Sequence, residues 1–64
     1  MKLRELNEVI KSDYIVDVYS NKTELFTESF HRNQKDSMEI YKDSEVTGIY
    51  AHTKYNMLVI VDID

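Results

Sequence analysis

Five consecutive apolar residues near the C-terminal end, Met57-Leu58-Val59-Ile60-Val61, constrain the fold of this chain more than any other feature. Successive side chains of an extended strand point to opposite faces, so this run is apolar on both. Such a strand is covered on both sides, or stands centrally in a sheet with a helix on one face. Asp62-Ile63-Asp64 then restores alternation. Just upstream, Val46-Thr47-Gly48-Ile49-Tyr50-Ala51 is a second β-prone run, and His52 to Asn56 is a polar connection. The two runs read as an antiparallel hairpin with a loop of roughly five residues.

A chain of 64 residues makes one small domain and buries only about 60% of the surface its unfolded form exposes. With no cysteine, disulfides and thiolate metal sites are excluded. Two separated histidines fall short of a zinc ligand set, and no cofactor is implied. Self-association remains as a way to complete a thin core, so a homo-oligomer is one expectation. Twelve Asp and Glu against eight Lys and Arg leave a net charge of −4. That balance argues against direct non-specific binding of nucleic acid, which draws its affinity from clustered cations. No apolar run approaches the ~20 residues of a membrane span, and the N-terminal stretch reads as a charged amphipathic helix, not a signal peptide. A soluble cytoplasmic protein with no membrane partner is expected. One glycine and no proline leave the turns to Asn, Asp, Ser and Lys. They also leave no glycine-rich loop to cradle a phosphate.

Leu3, Leu6, Val9 and Ile10 share one helical stripe, which predicts a helix of about nine or ten residues that must dock on a sheet. Arg4 and Glu8 stand one turn apart as an ionic pair on its outer side. Tyr14 to Tyr19 is a strand with Tyr14, Val16 and Val18 on the buried face. Ser20 to Thr23 turns the chain, and Glu24 to Phe30 returns. A three-residue loop at Asn21 to Thr23 places Phe26 and Phe30 opposite Val18 and Tyr14, with Glu28 the misfit; a two- or four-residue loop places Leu25 opposite Val18 instead. The first register is preferred because it buries two phenylalanines, although a one-residue slip flips every side chain. His31 to Asp36 is a polar loop, after which Ser37 caps a single helical turn that drops Ile40 and Tyr41 onto the core. The expected fold is α+β: an N-terminal helix packed on a four-stranded, mainly antiparallel sheet, in the order α-β-β-(short α)-β-β. Leu6, Ile10, Val16, Val18, Ile49, Val59 and Val61 are the expected core.

Chemistry-bearing residues are sparse. His31 and His52 both fall in polar connections, where a surface role is the ordinary one, and no serine has the glycine-flanked elbow of a nucleophile. Asp62 and Asp64 form a D-x-D at a strand end that could share a Mg²⁺, or could be the outward polar residues of an alternating strand. Neither a catalytic residue nor a metal ligand is assigned. Five tyrosines and two phenylalanines either fill a thin core or form a contact surface. Tyr19 and Tyr55, beside turns, are the better contact candidates. Together with Asp17, Glu24 and Glu28 they make the candidate partner-binding set.

The opening MKLRELNEVIKSDYIVDVYS resembles the start of short phage and prophage proteins of Gram-positive bacteria with AT-rich genomes, in which a charged L-x-x-L helix precedes a β-hairpin. The closing EVTGIYAHTKYNMLVIVDID resembles their last hairpin. Small inhibitors of CRISPR nucleases from such phages share the acidic, cysteine-free, helix-then-sheet style. Where those proteins carry a glycine in the first turn this chain has Ser20 to Thr23, and no site residue carries over. The resemblance implies a binding protein that inhibits a host defence enzyme such as a nucleic-acid-binding nuclease. Acidity fits that role, because carboxylates on a rigid sheet can occupy a Lys- and Arg-lined channel. The competing readings are a metal-assisted DNA-nicking module and a self-associating accessory protein.

Overall fold

The computed structural model describes residues 1–63; Asp64, half of the D-x-D pair, lies outside the described residues. Among these residues the chain runs α1 (Leu3–Val9), β1 (Tyr14–Tyr19), β2 (Phe26–His31), α2 (Lys35–Tyr41), β3 (Glu45–Ala51) and β4 (Met57–Asp62). The strands form one sheet in the order β2-β1-β4-β3. β1–β2 and β3–β4 are antiparallel, and the inner pair β1–β4 is parallel. The parallel pair follows from α2. This helix carries the chain back to the end at which β2 began, so β3 repeats the direction of β2 and the inner strands run together. The α+β fold and its element order are those expected, and the doubly apolar Met57–Val61 run is central.

Both helices lie on one face. Leu3 and Leu6 of α1 join Tyr14, Val16, Val18, Phe30, Val59 and Val61 in the buried core, with Ile10, Met38, Tyr41, Val46 and Met57 packed against it. Strand alternation sets this membership: β1 is buried at every second position from Tyr14.

The start of α1 is stitched to the turn after α2. Leu3 N–H donates to Ser44 O (3.0 Å) and Arg4 N–H to Lys42 O (2.9 Å), satisfying donors that a helix start leaves open. Its end is held from a distance by Arg32. One guanidinium nitrogen donates to Ile10 O at 2.7 Å and Ser12 O at 2.6 Å, and another to Asn7 O at 3.3 Å. The group also lies over the Tyr14 ring, 4.7 Å from its centroid, while Tyr14 Oη donates to Asn7 Oδ1 at 2.7 Å. A cation on terminal carbonyls does here what a C-terminal glycine does elsewhere.

Several details differ from the sequence expectation. α1 is seven residues long, and Val9 is exposed because the chain turns away to reach β1. Arg4 pairs with Asp43 at 2.9 Å instead of with Glu8. α2 starts at Lys35 with Gln34 as its N-cap, three residues before the expected Ser37 cap. Tyr41 packs on the core but Ile40 is exposed, since adjacent helical residues stand about 100° apart and only one of them faces the sheet. Ile49 is also exposed: it shares the helix-side face with Val59, but β3 is an edge strand beyond the helices' cover.

The first hairpin differs most. Its connection covers six residues, 20 to 25, and Phe30 stands opposite Val16 with Glu28 opposite Val18. A bulge at Val18/Tyr19 then brings Phe26 beside Tyr19, so one phenylalanine is buried and the other exposed. Glu28 is tolerated on the helix side because Tyr41 Oη donates to its carboxylate.

Candidate functional site

With both helices on one side, the other face of the sheet is bare among the described residues. The strand registers place its side chains in three rows across β2-β1-β4-β3. The first row is His31, Ile15, Leu58 and Tyr50; the second is Ser29, Asp17, Ile60 and Gly48; the third is Phe26, Tyr19, Asp62 and Glu45. Ile15, Leu58 and Ile60 form an apolar centre. Phe26 and Tyr19 meet edge to face at 5.7 Å, and Phe26 and Tyr50 are more than half exposed. Asp17, Asp62 and Glu45 make one side of the face acidic. The N-terminal ammonium hydrogen-bonded to Glu45 holds its carboxyl below the usual carboxylate range.

Gly48, the only glycine, has its purpose here. A Cβ at this position would lie 2.5 Å from Tyr50 Cε2, so the Tyr50 ring folds over the bare Gly48 backbone. This closes the apolar surface at its β3 side.

At the opposite end of the face a loop of residues 52–56 carries Tyr55 against His31, with ring centroids 5.4 Å apart, and against His52 at 5.8 Å. His52 Nδ1 accepts the N–H groups of Lys54 (3.1 Å) and Tyr55 (3.3 Å), and His31 Nδ1 accepts that of Asn33 at 3.1 Å. The two histidines are therefore turn-makers in a chain almost without glycine.

Charge is segregated between the two sides. None of the twelve positions in the three rows holds Lys or Arg. Four of the eight cations, Arg4, Arg32, Lys35 and Lys42, line an open groove on the helix side together with Glu8 and Glu39. That groove makes a poor phosphate site. Arg4 is paired with Asp43, Lys42 with Glu39, and Arg32 is spent on the carbonyls of α1. Among the described residues no group of three or more His, Asp or Glu is placed to hold a metal ion, and no helix is long and apolar enough to cross a membrane.

The five partner-binding candidates separate accordingly. Asp17 and Tyr19 share the bare face. Glu24 sits in the β1–β2 connection in the left-handed region, with φ of 58°. Glu28 is on the opposite side, bonded to Tyr41, and Tyr55 stands at the far end of the face. The sequence reading missed Ile15, Phe26, Tyr50, Leu58 and Ile60. A signal for them existed: two short helices can cover one face of a sheet, so a strand apolar on both faces has to leave one uncovered.

No family model, curated protein or solved structure matches this chain.

Proposed function

We propose that this protein is a binding module whose working surface is the helix-free sheet face, and that its partner is a protein presenting Lys or Arg beside an apolar patch. The observation that carries the reading is a half-buried apolar centre (Ile15, Leu58, Ile60) with no helix over it among the described residues, bordered by Asp17, Asp62 and the ammonium-paired Glu45, with no Lys or Arg in its rows. Exposed apolar surface of this kind marks interaction sites, and a one-signed rim selects partners of opposite charge. The aromatic side chains could in principle stack bases, but Asp17 and Asp62 beside them repel the phosphates that any nucleic acid brings. A nucleic-acid-binding nuclease has the complementary surface. Inhibition of such an enzyme of a bacterial host, in that host's cytoplasm and by a phage-encoded protein, is the function we assign, in line with the resemblance of both ends of the chain to phage proteins.

Adding the protein to host RNA-guided nucleases during plasmid cleavage tests this reading. Inhibition should weaken as salt is raised, and Asp17→Lys with Asp62→Lys should abolish it while the circular dichroism spectrum stays unchanged. Inhibition by the double variant equal to that of the wild type at low and high salt would overturn the surface assignment. Cleavage of plasmid by the protein alone with Mg²⁺ would overturn the function.

A further inference from the structure

The two edges of the sheet are protected very differently. β2 carries Thr27, Glu28 and Ser29 in its middle, and an inward-pointing charge such as Glu28 is a recognised barrier to edge pairing. β3 carries no charge from Val46 to Ala51, in a chain of which 31% is charged. Its first third is closed by the N-terminal segment, where Lys2 bridges Glu45 and Val46 N–H donates to Met1 O at 2.8 Å. The bulge between Val46 and Gly48 follows. From Thr47 to Ala51 the outer edge has no strand neighbour among the described residues, and both of its large side chains are uncovered, Ile49 at 47% and Tyr50 at 55%. This is an unguarded strand edge of the kind that pairs with another strand.

We infer that Thr47–Ala51 pairs antiparallel with the same segment of a second copy, about a two-fold axis at Ile49, joining the two sheets into one of eight strands. The segment is self-complementary in that register. Ile49 meets its symmetry mate on the helix side, where each is half exposed in the monomer. On the other side Gly48 stands opposite the second Tyr50, and the two tyrosine rings lie side by side across the axis, each over its own glycine. Such cross-strand apolar and aromatic pairs are the stabilising unit of antiparallel sheets.

Size and charge both point to a second copy as the occupant. Four strands about 4.8 Å apart and six residues rising about 3.3 Å each give one bare face of roughly 400 Å² in plan. That is about half of the ~800 Å² per partner in a standard protein interface. Edge pairing about this axis keeps all helices on one side and both bare faces on the other, which doubles the surface offered to a partner. Direct stacking of two bare faces would instead bring Asp17 and Asp62 of both copies into one apolar contact, a costly arrangement. The edge contact holds no charge of its own, so the only electrostatic obstacle is long-range repulsion between two copies of net charge −4, which salt screens. Self-association through β3 should therefore strengthen with salt, opposite to the behaviour expected of a basic partner. The size argument rests on the proposed function, whereas the unguarded edge does not, so pairing through β3 is tested separately from inhibition.

Sedimentation velocity from about 10 µM to about 1 mM protein decides it, run at about 50 mM and about 500 mM NaCl. A dimer fraction that grows with concentration and with salt is expected. Ile49→Lys should leave a folded monomer throughout, whereas Ile60→Lys on the bare face should dimerise as the wild type does. Amides of Gly48 to Ala51 should gain exchange protection at high protein concentration. A monomer at about 1 mM in both salts would overturn the inference. A dimer that survives Ile49→Lys and is lost in Ile60→Lys would overturn it too.

Discussion

Single side chains carry much of the specificity of this small structure. Glu24 shows how the chain manages a turn without glycine. It holds a left-handed backbone, φ 58°, with its N–H donating to Ser20 O at 2.7 Å. That conformation costs a non-glycine residue about 1–2 kcal/mol, while glycine brings an entropic cost of roughly 0.5–1 kcal/mol. Glu24→Gly should thus stabilise the protein by up to about 1.5 kcal/mol, read as a raised urea midpoint with an unchanged slope; a lowered midpoint would show that the Glu24 side chain holds the turn. Tyr41 is the matching case for a charge placed on the helix side. Its hydrogen bond to Glu28, then burial, then the repulsion of that carboxylate raise its pKa above the usual tyrosine value. A raised folded value means that the folded state holds the proton more tightly. The contribution is fully present below about pH 10, where the unfolded tyrosine titrates, and is lost as pH rises through the folded value. Unfolding free energy measured from pH 8 upward should be level and then decline above about pH 10. Tyr41→Phe should be less stable at neutral pH and decline less steeply.

Among the elements, α1 depends most on distant help. Seven residues cannot hold a helix alone, and both ends are completed by other parts of the chain. The carbonyls of Lys42 and Ser44 take the first donors, and the Arg32 guanidinium takes three carbonyls at the end. Hydrogen bonds to a charged group contribute about 1.5–3 kcal/mol. Arg32→Ala should cost at least about 2 kcal/mol by that measure. Arg32→Lys should recover only part of the loss, because a single ammonium cannot reproduce the planar fork or its stacking on Tyr14. Chemical denaturation of the two variants checks this, and full recovery by lysine would mean that charge alone caps the helix. None of this was visible in HRNQKD, which reads as a solvated loop. An arginine's partners some twenty residues away leave no local trace.

For the molecule as a whole, the consequence of 64 residues is a small core on one side of a sheet, with eight buried side chains among the described residues. A single core in a domain this small supplies no more than about 3–5 kcal/mol. Leu6, 2% exposed, sits where α1 meets the strands, and truncating it to alanine removes both transfer energy and packing, about 2–5 kcal/mol. Leu6→Ala should therefore be largely unfolded at 25 °C by circular dichroism. A variant with an unchanged melting temperature would show that α1 is dispensable. The same scarcity explains the bare face: the described residues hold no further helix with which to cover it, so Ile15, Leu58 and Ile60 have no layer over them.

Element types and their order were legible from the sequence because they rest on local periodicity. The alternation from Tyr14, the helical stripe at Leu3 and Leu6, and the doubly apolar run at Met57 are each written within a few residues. Asp17 and Tyr19 could be placed on the outward face of β1 for the same reason. The hairpin register, the separation of Glu28 from Asp17 and Glu24, the exposure of Ile49 and the role of Arg32 were decided only by the tertiary structure. Each depends on a partner distant in sequence. Phe30 is buried only if Glu28 finds Tyr41, and Ile49 is exposed only because β3 ends the sheet. A strand's own residues state which side chains share a face; whether one face or both are covered is settled by how many layers the whole chain can build.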